Sequence, residues 1–596
     1  MNIDLEDIKD LLLSVEKPSR YTGGEFGSYE YFDSPFTFCM CFPDLYEVGM
    51  SNLGIKIVAE SMRERGFCTD FCFAPKTDFG SGLKERGIPL YSLAFKKPLR
   101  EFNMLGFSLQ YELSYTNLLY MLELAGIPLL RKDRAGKNYP LIAVGGPCTV
   151  NPEPLADFLD IVFIGDGESV DADVGELFVK HGGATKKFFE EISKLDGVYV
   201  PALLEVEYDG KRIKSFKGPR AKRAVYPDLD GAIFPEKIYV PNCETVHDRA
   251  VIEVMRGCYR GCRFCQAGFI YRPVRKRSVE TLTRQACNLI KNTGYNEVSL
   301  NSLSTGDYTE LSALLKSLKS NLPDDVTLAL PSLRVDSFEG DFAQDSRKVS
   351  LTFAPEAGSQ RLRDVINKDI TEEEILRATD RAFDSGYSAV KLYFMMGLPT
   401  ETDEDMEGIA NLCEKIRKQF TDKKLKRRLR ISVSLATFVP KPFTPFQWEA
   451  QISAEEGEAR RRKLFDALKK KAITLSWSDD FTAMLEAVLA RGDRRLSKVI
   501  LKAYENGCTF DGWDRYANRD LWLKAFEETG VDPKDYIRER GEDELLAWDF
   551  IDIGVTKKFL LSERKKAYAG KVTGSCKASC KGCGLQTSCH AAKGEF

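Results

Sequence analysis

Long apolar runs are what this chain of 596 residues most plainly lacks. No stretch approaches the ~18 uninterrupted apolar residues of a membrane-crossing helix, so no span is expected. Excess charge of one sign is missing too: 86 Lys and Arg against 89 Asp and Glu leave a formal net charge of −3. That balance indicates neither nucleic acid nor an anionic membrane surface as partner. The opening residues, MNIDLEDIKDLLLSVEK, are acidic and amphipathic, with no basic segment leading into an apolar one. A secretory leader is not expected, and a cytoplasmic protein is. Histidine is scarce, and only His247 lies near the cysteine-rich stretch at 256–265. The remaining composition, 43% hydrophobic and 29% charged, is that of an ordinary globular protein. Its length calls for several domains rather than one core.

Cysteine, by contrast, is plentiful. Sixteen cysteines without a leader point to reduced thiols and metal ligation rather than disulfides. Cys39, Cys41, Cys68, Cys72, Cys148 and Cys287 sit in apolar strand or helix patterns and read as buried structural thiols. The run RGCYRGCRFC at 256–265 is different. Cys258, Cys262 and Cys265 are spaced four and then three apart, with Phe264 just before the last. Three thiolates so placed can hold three corners of a 4Fe–4S cube and leave one iron open to an exchangeable ligand. Zinc, or three unrelated buried thiols, are the alternatives, but zinc sites usually come as paired CxxC or Cys/His sets. The pattern resembles the radical SAM superfamily, whose loop is CxxxCxφC with φ aromatic. That resemblance implies that the open iron chelates the amino and carboxylate groups of S-adenosylmethionine (SAM). An electron from the cluster then splits the sulfonium and releases a 5′-deoxyadenosyl radical.

Upstream, the runs FTFCMCFP, DFCFAPKT, MLGFSLQY, PLIAVGGP and DIVFIGDG alternate with helical patterns between about 36 and 168. Such alternation predicts a doubly wound parallel sheet, with ligands at the carboxyl ends of its strands. Those ends carry Gly49, Gly145, Gly146, Gly165, Asp166, Gly167 and Glu168. The runs AVGGPCTVNPEPL and DIVFIGDGESV resemble the cobalamin-binding domains fused to radical SAM barrels. In those domains a DxHxxG loop often supplies the lower ligand of cobalt. Here Asp44, Tyr46 and Gly49 stand at the corresponding positions, with Tyr46 in place of the histidine. Two readings stay open: a cobalamin with no protein nitrogen on cobalt, or a domain that keeps the fold without the cofactor. Beyond it, LLEVEYDGKRIKSFKGPRAKRAV alternates about Asp209-Gly210, a hairpin signal.

Six strand–helix units follow, with strands in RAVIEVMRG, NEVSLNSLS, VTLALPSLRV, SLTFAPE, AVKLYFMMGLP and RISVSLATFVP. They predict a partial, open parallel barrel whose chemistry sits at the carboxyl strand ends. The third connection, FEGDFAQDSRK, looks short. From the superfamily resemblance, Ser304, Thr305, Gly306 and Asp307 occupy the place of the run that grips the methionine amine. Ser332, Arg334 and Asp336 end the third strand and Glu356 the fourth; Arg361 is placed to pair with the methionine carboxylate, and Gly397 to let adenine pack on backbone. The C-terminal helices carry Arg491, Arg494 and Arg495 near Trp513, open to reading as an anion-binding wall or as packing onto the barrel.

The tail, SCKASCKGCGLQTSCH, repeats the four-then-three spacing at Cys576, Cys580 and Cys583 and adds Cys589. Four thiolates there can close an auxiliary 4Fe–4S cluster or hold a structural zinc. With Gly582 before the third cysteine and no strand ahead of the loop, it does not read as a second SAM site.

The predicted architecture is therefore α/β. It comprises a Rossmann-like sheet over 1–200, a linker and hairpin over 201–247, a (β/α)6 core over 248–475, a mostly helical region over 476–570 and a cysteine-rich tail over 571–596. RGCYRGCRFCQAG, PSLRVDSF, FAPEAG and GLPTE, with this tail, resemble an uncharacterised bacterial radical SAM family with an N-terminal cobalamin-binding-type domain. The resemblance implies cobalamin-dependent methylation of an unactivated carbon and an electron donor such as flavodoxin or ferredoxin. Sulfur insertion of the methylthiotransferase kind, and a redox-sensing iron–sulfur protein, are the alternatives.

Overall fold

A computed structural model of the chain describes residues 2–330, 351–586 and 589. Strands β1 (Thr37–Phe42), β2 (Cys68–Phe73), β3 (Met104–Ser108), β4 (Leu141–Gly145) and β5 (Ile161–Phe163) pair in parallel. An antiparallel β6 (Val198–Tyr199) completes the order β2-β1-β3-β4-β5-β6. Every residue of β1 and β2 is buried, as continuous apolar runs require when helices cover both faces of a sheet. Helices Leu53–Glu64 and Val170–Lys180 cover one face, Thr77–Arg86 and Tyr115–Leu124 the other. The chain winds outward in both directions from β1, so a topological switch point falls between β1 and β3. The free cysteines of β1 and β2 are buried in these strands, as read from the sequence.

Strands β7 (Glu205–Asp209) and β8 (Arg212–Lys217) form the expected hairpin, turning at Gly210 with φ 58°. After β9 (Ala221–Lys222) the core begins with β10 (Ala250–Glu253). Then β11 (Met255–Arg256) pairs antiparallel with β12 (Arg275–Lys276), and this ribbon brackets the cysteine loop. Parallel strands β13 (Glu297–Asn301) and β14 (Thr327–Ala329) extend β10. A second parallel sheet holds β15 (Leu351–Glu356), β16 (Ala389–Met396), β17 (Arg430–Thr437) and β18 (Thr474–Trp477). Strand β18 adds to the six expected; its mostly exposed residues form no apolar run that would announce it. The connection FEGDFAQDSRK lies outside the described residues, as do Ser332, Arg334 and Asp336.

The C-terminal helices pack against Phe443 and Trp448 of the core, as the packing reading has it, and against the N-terminal sheet domain as well. Val488, Leu489, Leu496, Val499 and Ile500 join the core of Leu113, Leu118 and Leu122, so these helices lock onto the N-terminal sheet domain. No anion-binding wall forms. Arg494 donates to Glu153 at 3.1 Å and Tyr199 at 2.8 Å, Arg495 to Asp493 at 2.7 Å, and buried Arg491 to the Arg538 carbonyl at 3.0 Å. Trp513 Nε1 donates to Asp44 at 2.9 Å. A final strand, β19 (Ile551–Asp552), pairs with β9. Among the described residues no helix is long and apolar enough to cross a membrane.

Candidate active site

The cysteine loop hangs from the β11–β12 ribbon, and its turn depends on Gly257. That residue has φ 89°, and a Cβ there would lie 2.7 Å from the Tyr271 carbonyl oxygen. Gly257→Ala should cost about 1–3 kcal/mol of local strain, read as a fall in iron retained after anaerobic reconstitution. The far side of the loop is pinned by Arg263, which is fully buried. It donates to Glu563 at 3.1 Å, to the Val365 carbonyl at 2.9 Å and to the Lys571 carbonyl at 2.7 Å. Asn367 Nδ2 donates to the Gly261 carbonyl at 3.0 Å and the Thr573 carbonyl at 2.9 Å, tying loop and tail together.

Within the loop, burial together with neighbouring Cys262 pushes the Cys265 thiol up to about 12. Cys258 Sγ accepts the Arg260 backbone N–H at 3.4 Å. Thiols that oppose one another's ionisation suit a cationic iron cluster, whose charge reverses that opposition. Among the described residues no three His, Cys, Asp or Glu side chains are gathered about a single metal ion.

Two of the expected strand-end groups reach this loop. Asp307 accepts from Arg260 Nη2 at 2.8 Å and Nε at 3.0 Å, and from Ser304 Oγ at 2.6 Å. Thr305, whose hydroxyl lies 2.9 Å from Ser302 Oγ, and Gly306 complete the same tight turn. Arg260, a residue inside the cysteine loop that the sequence reading passed over, thus holds the carboxylate intended for an ammonium. Glu356 takes the left-handed φ of 66° and pairs with Lys368 at 3.0 Å; Lys368 Nζ stands 5.9 Å from the Phe264 ring centre. Backbone strain of this kind collects at functional sites.

The other two described groups are engaged elsewhere. Arg361 pairs with Asp405 and donates to the Thr400 carbonyl at 2.7 Å, bracing the start of helix Asp403–Asp422. Burial raises Asp405, but its hydrogen bonds from Arg361 and Ser359 outweigh it and hold the carboxyl below its ordinary value. Gly397, at φ 81°, packs where a Cβ would meet Ile452 at 2.7 Å, and its N–H bonds to Glu401.

A cavity of about 350 Å³ opens between the sheet and the ribbon, lined by Gly145, Gly146, Gly165, Asp166 and Glu168 and by Glu253, Arg256 and Asn301. Arg256 spans it, 2.8 Å from Asp166, 2.6 Å from Glu168 and 2.9 Å from Glu253. Arg275 reaches Asp166 from the opposite strand of the ribbon. Burial pulls Asp166 upward, yet these two guanidiniums prevail and leave it below its ordinary value. Asp171, also lining the cavity, is pushed well up by burial, and its Oδ1 has no hydrogen-bond partner.

Asp44, Tyr46 and Gly49 do not line this cavity. Tyr46 donates to Glu25 at 2.9 Å and accepts the Asn242 N–H at 3.1 Å; Gly49 is covered by the Phe73 ring; and Asp44 holds Trp513. The chain turns at Asn52, which caps helix Leu53–Glu64, and Asn52, Leu53 and Gly54 form the lining instead.

The tail lies against the cysteine loop. Cys576 donates its N–H to the Tyr259 carbonyl at 2.9 Å, and a separate cavity of about 310 Å³ is lined by Cys258, Tyr259, Cys576, Cys583 and Cys589. Burial raises the Cys576 thiol, with Cys583, Cys589 and Cys580 nearby. Cys580 itself is exposed.

Two parallel sheets carrying a three-thiol loop, together with a glycine-edged doubly wound sheet, define an α/β protein with the loop and the glycine edge on either side of one ribbon. Residues 54–201 match the family described as radical SAM proteins, N-terminal, and residues 252–413 the radical SAM superfamily. The chain belongs to the radical SAM superfamily, so a 4Fe–4S cluster and SAM are its cofactors. An uncharacterized protein of Methanocaldococcus jannaschii is 30% identical over 496 residues, 82% of this chain and 96% of its own. The tRNA-2-methylthio-N(6)-dimethylallyladenosine synthase of Anaplasma phagocytophilum is 25% identical over 244 residues, 38% of this chain and 52% of that one. The chain thus spans about half of that relative's length. In fold it is similar to the radical SAM methyltransferase TsrM of Kitasatospora setae, solved with cobalamin and a [4Fe-4S] cluster bound. The TM-score is 0.50 at 12% identity, covering 83% of this chain and 100% of that one.

Proposed function

We propose that this radical SAM enzyme methylates an unactivated carbon with the help of cobalamin. The observation that carries the reading is the 350 Å³ cavity shared by the glycine edge of the sheet and the ribbon leading the cysteine loop. The residues fit a broad ligand rimmed with amides. Nothing lies nearer than 3.9 Å to where a Gly145 side chain would begin, so the strand end is bare backbone. Asn52, Ser108, Gln110 and Asn301 offer amide and hydroxyl partners around it. When bound, the cluster with SAM supplies the means of breaking a C–H bond, and the corrin supplies the methyl group.

The chain's own part is to bind, orient and exclude water. Arg260 fixes Asp307 beside the loop, Lys368 pairs with Glu356 while its Nζ stands over the Phe264 ring, and Arg256 with Arg275 joins the ribbon to the strand ends of the sheet. Sulfur insertion is the second reading, favoured by the match to methylthio-forming enzymes and by the tail thiols. Against it, the N-terminal cysteines are buried in β1 and β2 and present no cluster-binding surface.

The test is anaerobic reconstitution with hydroxocobalamin and SAM. Cobalamin should co-elute with the protein, and its cob(II) form should show no nitrogen splitting in paramagnetic resonance. Gly145→Val should abolish retention. With substrate, S-adenosylhomocysteine and 5′-deoxyadenosine should appear in roughly equal amounts. A product carrying sulfur would establish the second reading, and no cobalamin binding would overturn the first.

A further inference from the structure

We propose that the cysteine-rich tail forms the port through which electrons enter the Cys258–Cys265 cluster site. The inference rests on the reading that the tail thiols hold an iron–sulfur cluster rather than zinc.

Cys576, Cys583 and Cys589 line the same 310 Å³ cavity as Cys258. The bond from the Cys576 N–H to the Tyr259 carbonyl, at 2.9 Å, joins the two cysteine sets through the residue next to Cys258. Asn367 adds a second tie: beside its bond to Gly261, its Oδ1 accepts the Thr573 N–H at 2.7 Å. Pro273, Val274 and Leu585 form the apolar part of the shared wall, beside Asp228, Arg272, Arg275 and Lys276.

The position also says what the tail centre does not do. Ribbon residues Glu253, Met255, Arg256 and Gly257 line the glycine-edged cavity, whereas Pro273, Val274 and Lys276 line the tail cavity. The ribbon therefore separates the tail thiols from the space where the sheet's ligand belongs. A centre behind that wall is poorly placed to give sulfur to a substrate and well placed to give an electron to the loop.

Its outer side suits an incoming donor. Cys580 is exposed while Cys576 faces the loop, so one centre would touch both solvent and the catalytic loop. Of the six Lys and Arg between 564 and 586, Arg564 is paired with Glu449, Glu539 and Glu542 and Lys566 with Glu563, which leaves Lys565, Lys571, Lys577 and Lys581 as the basic groups of this stretch, with no Asp or Glu among them. A donor with an acidic surface, an iron–sulfur or flavin protein, is the complement of that stretch. One electron at a time passes from the reduced donor to the tail cluster. The tail cluster is reoxidised as the loop cluster is reduced, and no bond is made or broken in the tail.

The full-length protein, reconstituted anaerobically, is compared with the variant Cys576→Ser, Cys583→Ser, Cys589→Ser. Wild type should hold about eight irons and the variant about four. Reduced with dithionite, wild type should give a resonance signal broadened by the coupling of two nearby spins, and the variant an unbroadened one. Reduction of the loop cluster by a reduced ferredoxin should slow about an order of magnitude or more in the variant, with the dithionite rate unchanged as proof that the loop site is intact. Two clusters with no coupling, or equal ferredoxin rates, would overturn the port. Zinc lost from the variant with no change in iron would instead overturn the underlying reading of the metal, and zinc analysis separates the two failures.

Discussion

Replacing Cys258, Cys262 and Cys265 together by Ala should abolish 5′-deoxyadenosine formation from SAM and remove about four irons per chain, leaving the fold intact. The fold should survive because the loop does not depend on its thiols for position. Arg263 is fully buried and bound to Glu563 and to three backbone carbonyls, and Asn367 clamps Gly261. Those contacts persist when three sulfurs are removed. What disappears is the three-thiol set of the loop, while the tail cysteines remain. Product analysis by mass spectrometry and iron determination check the result, with circular dichroism as the control for folding. The tail variant should retain SAM cleavage with a strong chemical reductant. Equal loss of cleavage in both variants would mean that the two cysteine sets form one functional centre.

Arg256→Ala should produce the largest loss of stability of any single change at the site. Its guanidinium lies within 2.9 Å of carboxylates on β5's loop and on β10, so it joins sheet and barrel. Removing one partner of a buried ion pair costs about 3–5 kcal/mol, because the carboxylates stay buried without their counter-charge. Amide hydrogen exchange over 161–171 and 250–257 should accelerate by a factor of about a hundred or more, and Arg256→Lys should recover part of the loss. The pH dependence has a definite sign. Burial raises Glu253, but Arg256 prevails, so Glu253, like Asp166, lies below its ordinary value. Stability from such groups is present above the unfolded carboxylate values, about pH 4, and is lost as pH falls through the lower folded values. Wild type should therefore keep the junction closed down to about pH 4, whereas the deficit of the Ala variant relative to wild type should be largest near neutral pH and shrink as pH falls and the uncompensated carboxylates take up protons.

Arg256 stands two residues before Cys258 and would pass, from sequence, as an exposed charge flanking the motif. Glu253 is three residues away in the same segment, but Asp166 and Glu168 come from the loop after β5, some ninety positions earlier, and no spacing along the chain links that loop to Arg256. The same holds for Arg260. It lies within the motif, but its bond to Asp307 depends on two loops meeting at the barrel mouth. Tyr46 shows the converse. A local pattern placed it at a cofactor, and packing against Phe73 with a bond to Glu25 placed it in the core.

What the sequence determined by itself was what short-range rules carry. Apolar runs bounded by glycine mark the parallel strands, Asp209-Gly210 marks the hairpin, and the four-then-three cysteine spacing marks the cluster loop, because each needs only neighbours within a few residues. What tertiary structure decided was everything that depends on two distant segments meeting. It bound the C-terminal helices to the N-terminal sheet, engaged Arg494 with Glu153 and Arg361 with Asp405, and set Cys576 beside Tyr259. An ion pair or a shared cavity wall is a distance in space, and residues 44 or 341 positions apart, as in these two pairs, acquire that distance only when the chain folds.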